Sequence, residues 1–291
     1  MELYNKIDKT KNVNVGNKNY KIDIVGRELP ILSIGLGTPS LYTLSDRFKE
    51  RFEVYSSDLY WVKEHALGNA ESITINQIVD DIAELATNLN LSKFFIFGHS
   101  AYGIIALEFA KKYPQLVLGI IMSGTPPNSN QQVAETNNAY FEKHASANRK
   151  KIDKERRAEF SEEKLMHLSP SEKFKMEYTW THGPRYWHIP DFDCSDLWQG
   201  ITIEHKIFNN LFSKILPSID VRNNLDQIDC PIFLAAGDSD FNCCPFLWNS
   251  IQNLPKNMVI SQFKESGHWP HYEEQSLFDQ RIEAWLKQGG F

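Results

Sequence analysis

The sequence predicts an α/β fold built on a parallel, doubly wound sheet. Three observations carry this. Continuously apolar runs such as Phe94-Phe95-Ile96-Phe97 and Ile232-Phe233-Leu234-Ala235-Ala236 read as strands buried on both faces, as the strands of parallel sheets are. Stretches of helical periodicity lie between the runs, so strand and helix alternate along the chain. Several runs end in glycine-containing turns, and in sheets of this kind ligands bind at the carboxyl ends of the strands.

The bulk properties narrow the class. The chain has 291 residues, 42% of them hydrophobic and 12% aromatic, enough for one large core or for a core with an inserted lid. No stretch reaches the roughly 20 apolar residues of a membrane span, and the first eight residues are too polar for a secretory signal. A formal charge of −6 argues against nucleic acid as a partner. The four cysteines lack metal-ligand spacing, and a bridge between the adjacent Cys243 and Cys244 would be strained. These features predict free thiols, a cytoplasmic location, no metal and no membrane partner; the chain is expected to act as a monomer or homodimer on a small molecule.

Taken in order, residues 12–15, 20–25 and 30–34 are short strands; residues 20–24 alternate apolar and polar as an edge strand does. The third ends in the loop Gly35-Leu36-Gly37-Thr38-Pro39, which lacks the G-x-G-x-x-G spacing of a dinucleotide site, so no nicotinamide cofactor is expected. Residues 52–56 form the next strand. Ile75, Ile78, Val79, Ile82, Leu85 and Leu89 recur at helical spacing, giving an amphipathic helix over 74–88. Residues 94–97 run into Gly98-His99-Ser100-Ala101-Tyr102-Gly103 and a helix to residue 113, and residues 117–122 form a further strand. From about residue 128 to 219 the strand signals stop. The run Lys150-Lys151-Ile152-Asp153-Lys154-Glu155-Arg156-Arg157 mixes signs and reads as a solvated helix face. Strands return at 231–236 and 258–260, with a helix over 246–254 between them and a final helix through residue 286.

Three short motifs sit at strand ends. Gly98-His99-Ser100 turns from strand to helix, Gly237-Asp238-Ser239-Asp240 closes a buried strand, and Gly267-His268 lies between the last strand and the last helix. Together they resemble the α/β-hydrolase superfamily, whose nucleophile elbow, triad acid and triad histidine follow in this order. The resemblance covers nearly the whole chain. It implies a mostly parallel eight-stranded sheet flanked by helices, with a helical cap at residues 128–219 inserted after the sixth strand into a core of residues 1–127 and 220–291. It also implies Ser100 as nucleophile, His268 as base and Asp240 as acid, with Asp238 and His271 as the competitors of the last two. The backbone N–H groups of Leu36 and Ala101 would bind the oxyanion, and no cofactor is required. Two departures stand out. Tyr102 occupies a position that the family usually keeps small, and Ile34 replaces the histidine that usually precedes the oxyanion loop.

The implied reaction is acyl transfer, most simply hydrolysis of a small or medium carboxylic ester. An aromatic-rich segment with Trp180 and Trp187 is expected to supply the pocket, and short uncharged esters are expected to be preferred over amino-acid anilides. One alternative is an aminopeptidase. Ile203-Glu204-His205-Lys206-Ile207-Phe208 resembles a segment of prolyl iminopeptidases whose glutamate binds the substrate amine, which would give Glu204 that role. The family's His-Gly-Gly-Pro-Gly loop and Gly-Gly-Ser-Trp-Gly elbow are missing. The other alternative is a non-catalytic binding protein on a hydrolase scaffold.

Overall fold

The computed structural model describes residues 7–35, 37–58, 73–159, 165–198, 203–251 and 254–291. Among them, eight strands form one sheet: β1 (Lys9–Val15), β2 (Lys18–Gly26), β3 (Leu29–Gly35), β4 (Phe52–Asp58), β5 (Phe94–His99), β6 (Val117–Ser123), β7 (Ile232–Gly237) and β8 (Met258–Phe263). Their spatial order is β1-β2-β4-β3-β5-β6-β7-β8. β2 pairs antiparallel with both β1 and β4, and every other pairing is parallel. The mostly parallel eight-stranded sheet is thus the one expected.

The apolar runs are strands because both faces of the sheet are covered. On β5, Phe94 and Ile96 join one core cluster while Phe95 and Phe97 join the other, the alternation that a pleated strand imposes. On the first face, α3 (Ile75–Asn88) packs Ile78, Val79, Ile82 and Leu85, with Thr74 capping its first turn by accepting the Gln77 N–H. On the second face, Leu41 of α1 (Thr38–Thr43), Phe48 of α2 (Asp46–Arg51) and Phe278 and Trp285 of the final helix Gln275–Gln288 share a core cluster with Phe95, Phe97 and Phe233. Each buried phenylalanine is worth about 2–3 kcal/mol relative to exposure.

The chain leaves the sheet after β6 and re-enters it at β7. In between, the named elements of the described residues are helices, including α5 (Gln131–His144), α6 (Ala147–Ala158) and the helices Pro170–Met176 and His205–Asn210. The two stems of this insertion are tied together: Asn128 and Asp220 form an antiparallel bridge, and the Val221 N–H donates to the Pro127 carbonyl at 3.1 Å. One expectation is corrected here. α6 is not simply a solvated face, because Arg149, Asp153 and Arg156 are buried. Arg149 donates to the carbonyls of Pro184, Trp187 and His188, which makes a buried guanidinium tolerable. The helix after β7 is also shorter than expected, spanning Phe246–Asn249. The four cysteines are unbridged. Among the described residues no helix is long and apolar enough to cross a membrane.

Candidate active site

The site is built on the carboxyl ends of β5, β7 and β8. Ser100 follows β5 with φ 56° and ψ −132°, a conformation that costs a residue with a side chain on the order of 1–3 kcal/mol. Its N–H donates to the Ser123 carbonyl at the end of β6, 2.8 Å away, and α4 (Ala101–Lys112) begins at the next residue. A Cβ on Gly98 would lie 2.6 Å from the backbone of Tyr102 and Gly103, and one on Gly103 would lie 2.1 Å from Thr125 Oγ1. The tight approaches of this turn therefore fall at residues 98 and 103, which leaves room for the tyrosine between. The Tyr102 ring packs against Gly35, where a Cβ would come within 2.7 Å of it. Gly35 also has φ +128°, a value that L side chains rarely adopt.

Asp240 is fully buried. Its Oδ1 accepts the N–H groups of Asn242 at 2.9 Å and Cys243 at 2.7 Å, and its Oδ2 meets His268 Nδ1 at 2.7 Å. Asp238, the competitor, is exposed. His268 is 3% exposed and is held through its backbone and one ring face as well as through Nδ1. Its N–H donates to the Tyr186 carbonyl at 2.5 Å, and its ring stacks on the Tyr186 ring at 4.9 Å and 19°. Its carbonyl accepts from His99 Nε2 at 3.0 Å. That bond requires His99 to carry its proton on Nε2, and burial together with its two histidine neighbours holds the ring well below the usual histidine range. His271 lies apart from the cavity, bonded through Nδ1 to Ser123 Oγ at 2.8 Å, and burial pushes it down to about 3.

Glu273 organises the loop around His268. Its Oε1 accepts the N–H of Gly267 at 2.8 Å and of Trp269 at 3.2 Å, while Oε2 accepts the N–H of His188 in the insertion at 2.6 Å. Burial outweighs these bonds and raises the carboxyl to about 7.

Ser100, Ala101 and His268 open into one cavity of about 360 Å³ between the sheet and the insertion. Trp187 is in its wall, stacked on Trp269 at 5.6 Å and 8°. Two other expected pocket residues are not brought there. Trp180 is 41% exposed, donates to Glu159 and lies under the Arg156 guanidinium. Glu204 caps the helix His205–Asn210 by accepting the Lys206 N–H at 3.3 Å, and it is not among the cavity's lining residues. Leu36 lies outside the described residues. The cavity also holds Arg157, Arg185 and His99, to which the sequence assigns no role, and Tyr186 of the aromatic-rich segment. Arg149, Asp153 and Arg157 recur at every fourth position of α6, a charged stripe that was the only signal for the first of these.

A strained serine at a strand-to-helix turn, on a sheet of this order with a helical insertion after β6, marks the molecule as an α/β hydrolase. The alpha/beta hydrolase fold family model matches residues 43–275, and the chain belongs to that family. It is 26% identical over 283 residues to the AB hydrolase superfamily protein YclE of Bacillus subtilis, covering 92% of this chain and 95% of that one. Among solved structures, the proline iminopeptidase of Mycobacterium smegmatis superposes with a TM-score of 0.75 at 15% identity, over 97% of this chain and 98% of that one. A thermophilic esterase from Thermogutta terrifontis superposes with a TM-score of 0.62 at 18% identity, over 97% and 99%. At such identities the likeness is one of fold.

Proposed function

We propose that the protein hydrolyses a small or medium carboxylic ester through an acyl-enzyme, with Ser100 as nucleophile, His268 as general base and Asp240 as its orienting acid. The observation that carries this reading is the buried 2.7 Å contact between His268 Nδ1 and Asp240 Oδ2, beside a serine in the same cavity. A carboxylate accepting at Nδ1 holds the hydrogen there and leaves the Nε2 lone pair free to take a hydroxyl proton. Ser100 Oγ attacks the ester carbonyl as its proton passes to Nε2. The carbonyl electron pair moves onto oxygen, where the N–H groups of Ala101 and Leu36 are proposed to receive it. Ala101 suits this because the first N–H of a helix has no intrahelical acceptor. Each such donor is worth about 3–4 kcal/mol in the transition state. Collapse expels the alcohol, which takes the proton from His268. A water that gives its proton to His268 then attacks the acyl carbon, and the bond to Ser100 Oγ breaks as that oxygen takes the proton back, releasing the acid.

In this reading residues 128–219 act as a cap over a core of residues 1–127 and 220–291, and Trp187 contacts the substrate. The unbridged cysteines accord with a cytoplasmic location. An aminopeptidase would need a carboxylate for the substrate's protonated amine. None of the described cavity-lining residues is acidic, and Glu204 is occupied as a helix cap, so the ester reading is favoured. The test is hydrolysis of p-nitrophenyl butyrate against prolyl p-nitroanilide, with fluorophosphonate labelling of wild type and Ser100→Ala. Ester turnover and labelling are expected in wild type, with labelling lost and kcat lowered by several orders of magnitude in the variant. Unchanged turnover in Ser100→Ala refutes the mechanism, and preference for the anilide refutes the substrate class.

A further inference from the structure

The cavity is not uniformly apolar. One stretch of its wall is a hydrogen-bonded group of charged and amide side chains from α5, α6 and the helix Gly183–Tyr186. Asp153 accepts from Nε of Arg157 at 3.0 Å and from Nε of Arg185 at 3.0 Å. Arg185 also donates through Nη1 to Asn138 Oδ1 at 2.7 Å, and its guanidinium lies 4.0 Å from the Phe141 ring centroid. Arg157, Arg185 and Asn138 line the cavity that holds Ser100 and His268, while Asp153 sits behind them and is not in the lining.

Two guanidiniums share one carboxylate, so the group carries a net positive charge. No described residue of the lining is acidic. His182, also in the wall, is pushed down to about 4, first by burial and then by the neighbouring Arg157 and Arg185. The two arginines are not equivalent. Arg185 spends Nε, Nη1 and Nη2 on Asp153 and Asn138. Arg157, whose side chain is 42% exposed, spends only Nε on Asp153, so among the described residues its Nη1 and Nη2 donors have no protein partner. Anchored at Nε and open at its far edge, Arg157 presents the planar fork that a carboxylate fills.

We propose that the substrate is an ester bearing a second, ionised carboxylate on its acyl chain, with Arg157 binding that carboxylate and Arg185 holding the local field positive. The inference rests on the ester-hydrolase reading above and replaces the expectation of an uncharged acyl group. The aromatic wall of Phe174, Tyr178, Trp187 and Trp198 would pack the methylene chain between the two ends.

The test compares p-nitrophenyl hydrogen adipate with p-nitrophenyl methyl adipate, which have the same chain but differ in charge. The adipyl chain disfavours attack of the carboxylate on its own ester. In wild type, kcat/KM is expected to favour the ionised ester by about tenfold or more, the scale of one charge-assisted pair, and mainly through KM. In Arg157→Gln that ratio is expected to fall to about one or below, and in Arg157→Lys, which keeps charge without the fork, to an intermediate value. Independently of any variant, adipate should inhibit wild-type hydrolysis of p-nitrophenyl butyrate competitively, and dimethyl adipate should inhibit it more weakly. A wild-type preference for the methyl ester, or a ratio untouched in Arg157→Gln, overturns the inference and leaves the esterase reading standing. Turnover of none of these esters, with no fluorophosphonate labelling, overturns the esterase reading itself.

Discussion

Asp240→Asn is the most informative single substitution, because the hydrogen bonds around Asp240 determine what an amide must do there. All three partners approach as donors: two backbone N–H groups at Oδ1 and His268 Nδ1 at Oδ2. An asparagine has one acceptor oxygen and one NH₂ group. Placing the oxygen toward Asn242 and Cys243 keeps two bonds, whereas placing it toward His268 keeps one and sets NH₂ against two N–H groups. The oxygen therefore stays with the backbone, and NH₂ faces the imidazole. His268 can accept that donor only by moving its own hydrogen to Nε2, where the lone pair for the Ser100 proton is needed. The wrong tautomer costs about 10⁴-fold in kcat in the serine protease triad of the same design, or roughly 5.5 kcal/mol of transition-state stabilisation. The fold should survive, since no buried donor is left without an acceptor. Asp240→Ala, by contrast, strands the two backbone N–H groups and is expected to cost roughly 2–5 kcal/mol of stability. The assay is kcat on a p-nitrophenyl ester for Asp240→Asn and for Asp238→Asn, with thermal unfolding of both. A kcat for Asp240→Asn within tenfold of wild type, or a larger loss in Asp238→Asn, would refute the reasoning.

Two further outcomes follow from the same geometry. Glu273, raised to about 7 in the fold from an ordinary 4.5, stabilises the native state when protonated: its contribution is full below pH 4.5 and is lost as pH rises through 7. Urea unfolding at pH 5 and pH 8 should show wild type losing up to about 3 kcal/mol relative to Glu273→Gln, and parallel pH curves would contradict this. Gly98→Ala should lower Tm by about 5–10 °C, because its Cβ meets backbone rather than a movable side-chain tip. Gly16→Ala is the control, having φ 57° and open space around it; equal losses in the two variants would show that crowding at the elbow is not the cause.

What the sequence made legible was whatever a strand end defines locally. Ser100 and Asp240 each follow a fully buried apolar strand within a few residues, and His268 follows the half-buried last strand, so a strand end and a short turn motif single out all three. Local likeness points to Glu204 and composition to Trp180, and neither reports which way a helix in an insertion turns. Asp153 and Arg156 lie in a mixed-charge run that would be solvated on an isolated helix, yet both are buried, whereas Arg157 in the same run is exposed. The carbonyls of Pro184, Trp187 and His188 that bond Arg149 become its partners only when the insertion folds back on itself. Glu273 was equally silent. A lone glutamate between the last strand and the last helix carries no sign that three N–H groups, 4 to 85 residues away in sequence, will converge on it.

The segment from Gly183 to His188 belongs to the insertion in sequence but to the site in its bonding. Its Tyr186 carbonyl receives the His268 N–H, its Arg185 carbonyl receives the Phe241 N–H, and its His188 N–H donates to Glu273. Phe241 is the residue after Asp240, so the segment bonds the backbone at or beside both members of the proposed His–Asp pair. Gly267 is needed here for the same reason, since a Cβ there would lie 2.1 Å from the Tyr186 carbonyl. Lifting this segment would remove the acceptor that fixes the His268 backbone and the ring that stacks on its imidazole. The helices Pro170–Met176 and His205–Asn210 are joined to each other by side-chain packing, with Phe174 and Phe208 in edge contact at 5.1 Å. Repacking of rings can reshape that part of the pocket without touching the backbone bonds around His268. One insertion thus carries two parts, a strip whose backbone is bonded beside His268 and Asp240 and an aromatic wall that lines the cavity, and they meet where Tyr178 stacks on Tyr186 at 5.9 Å.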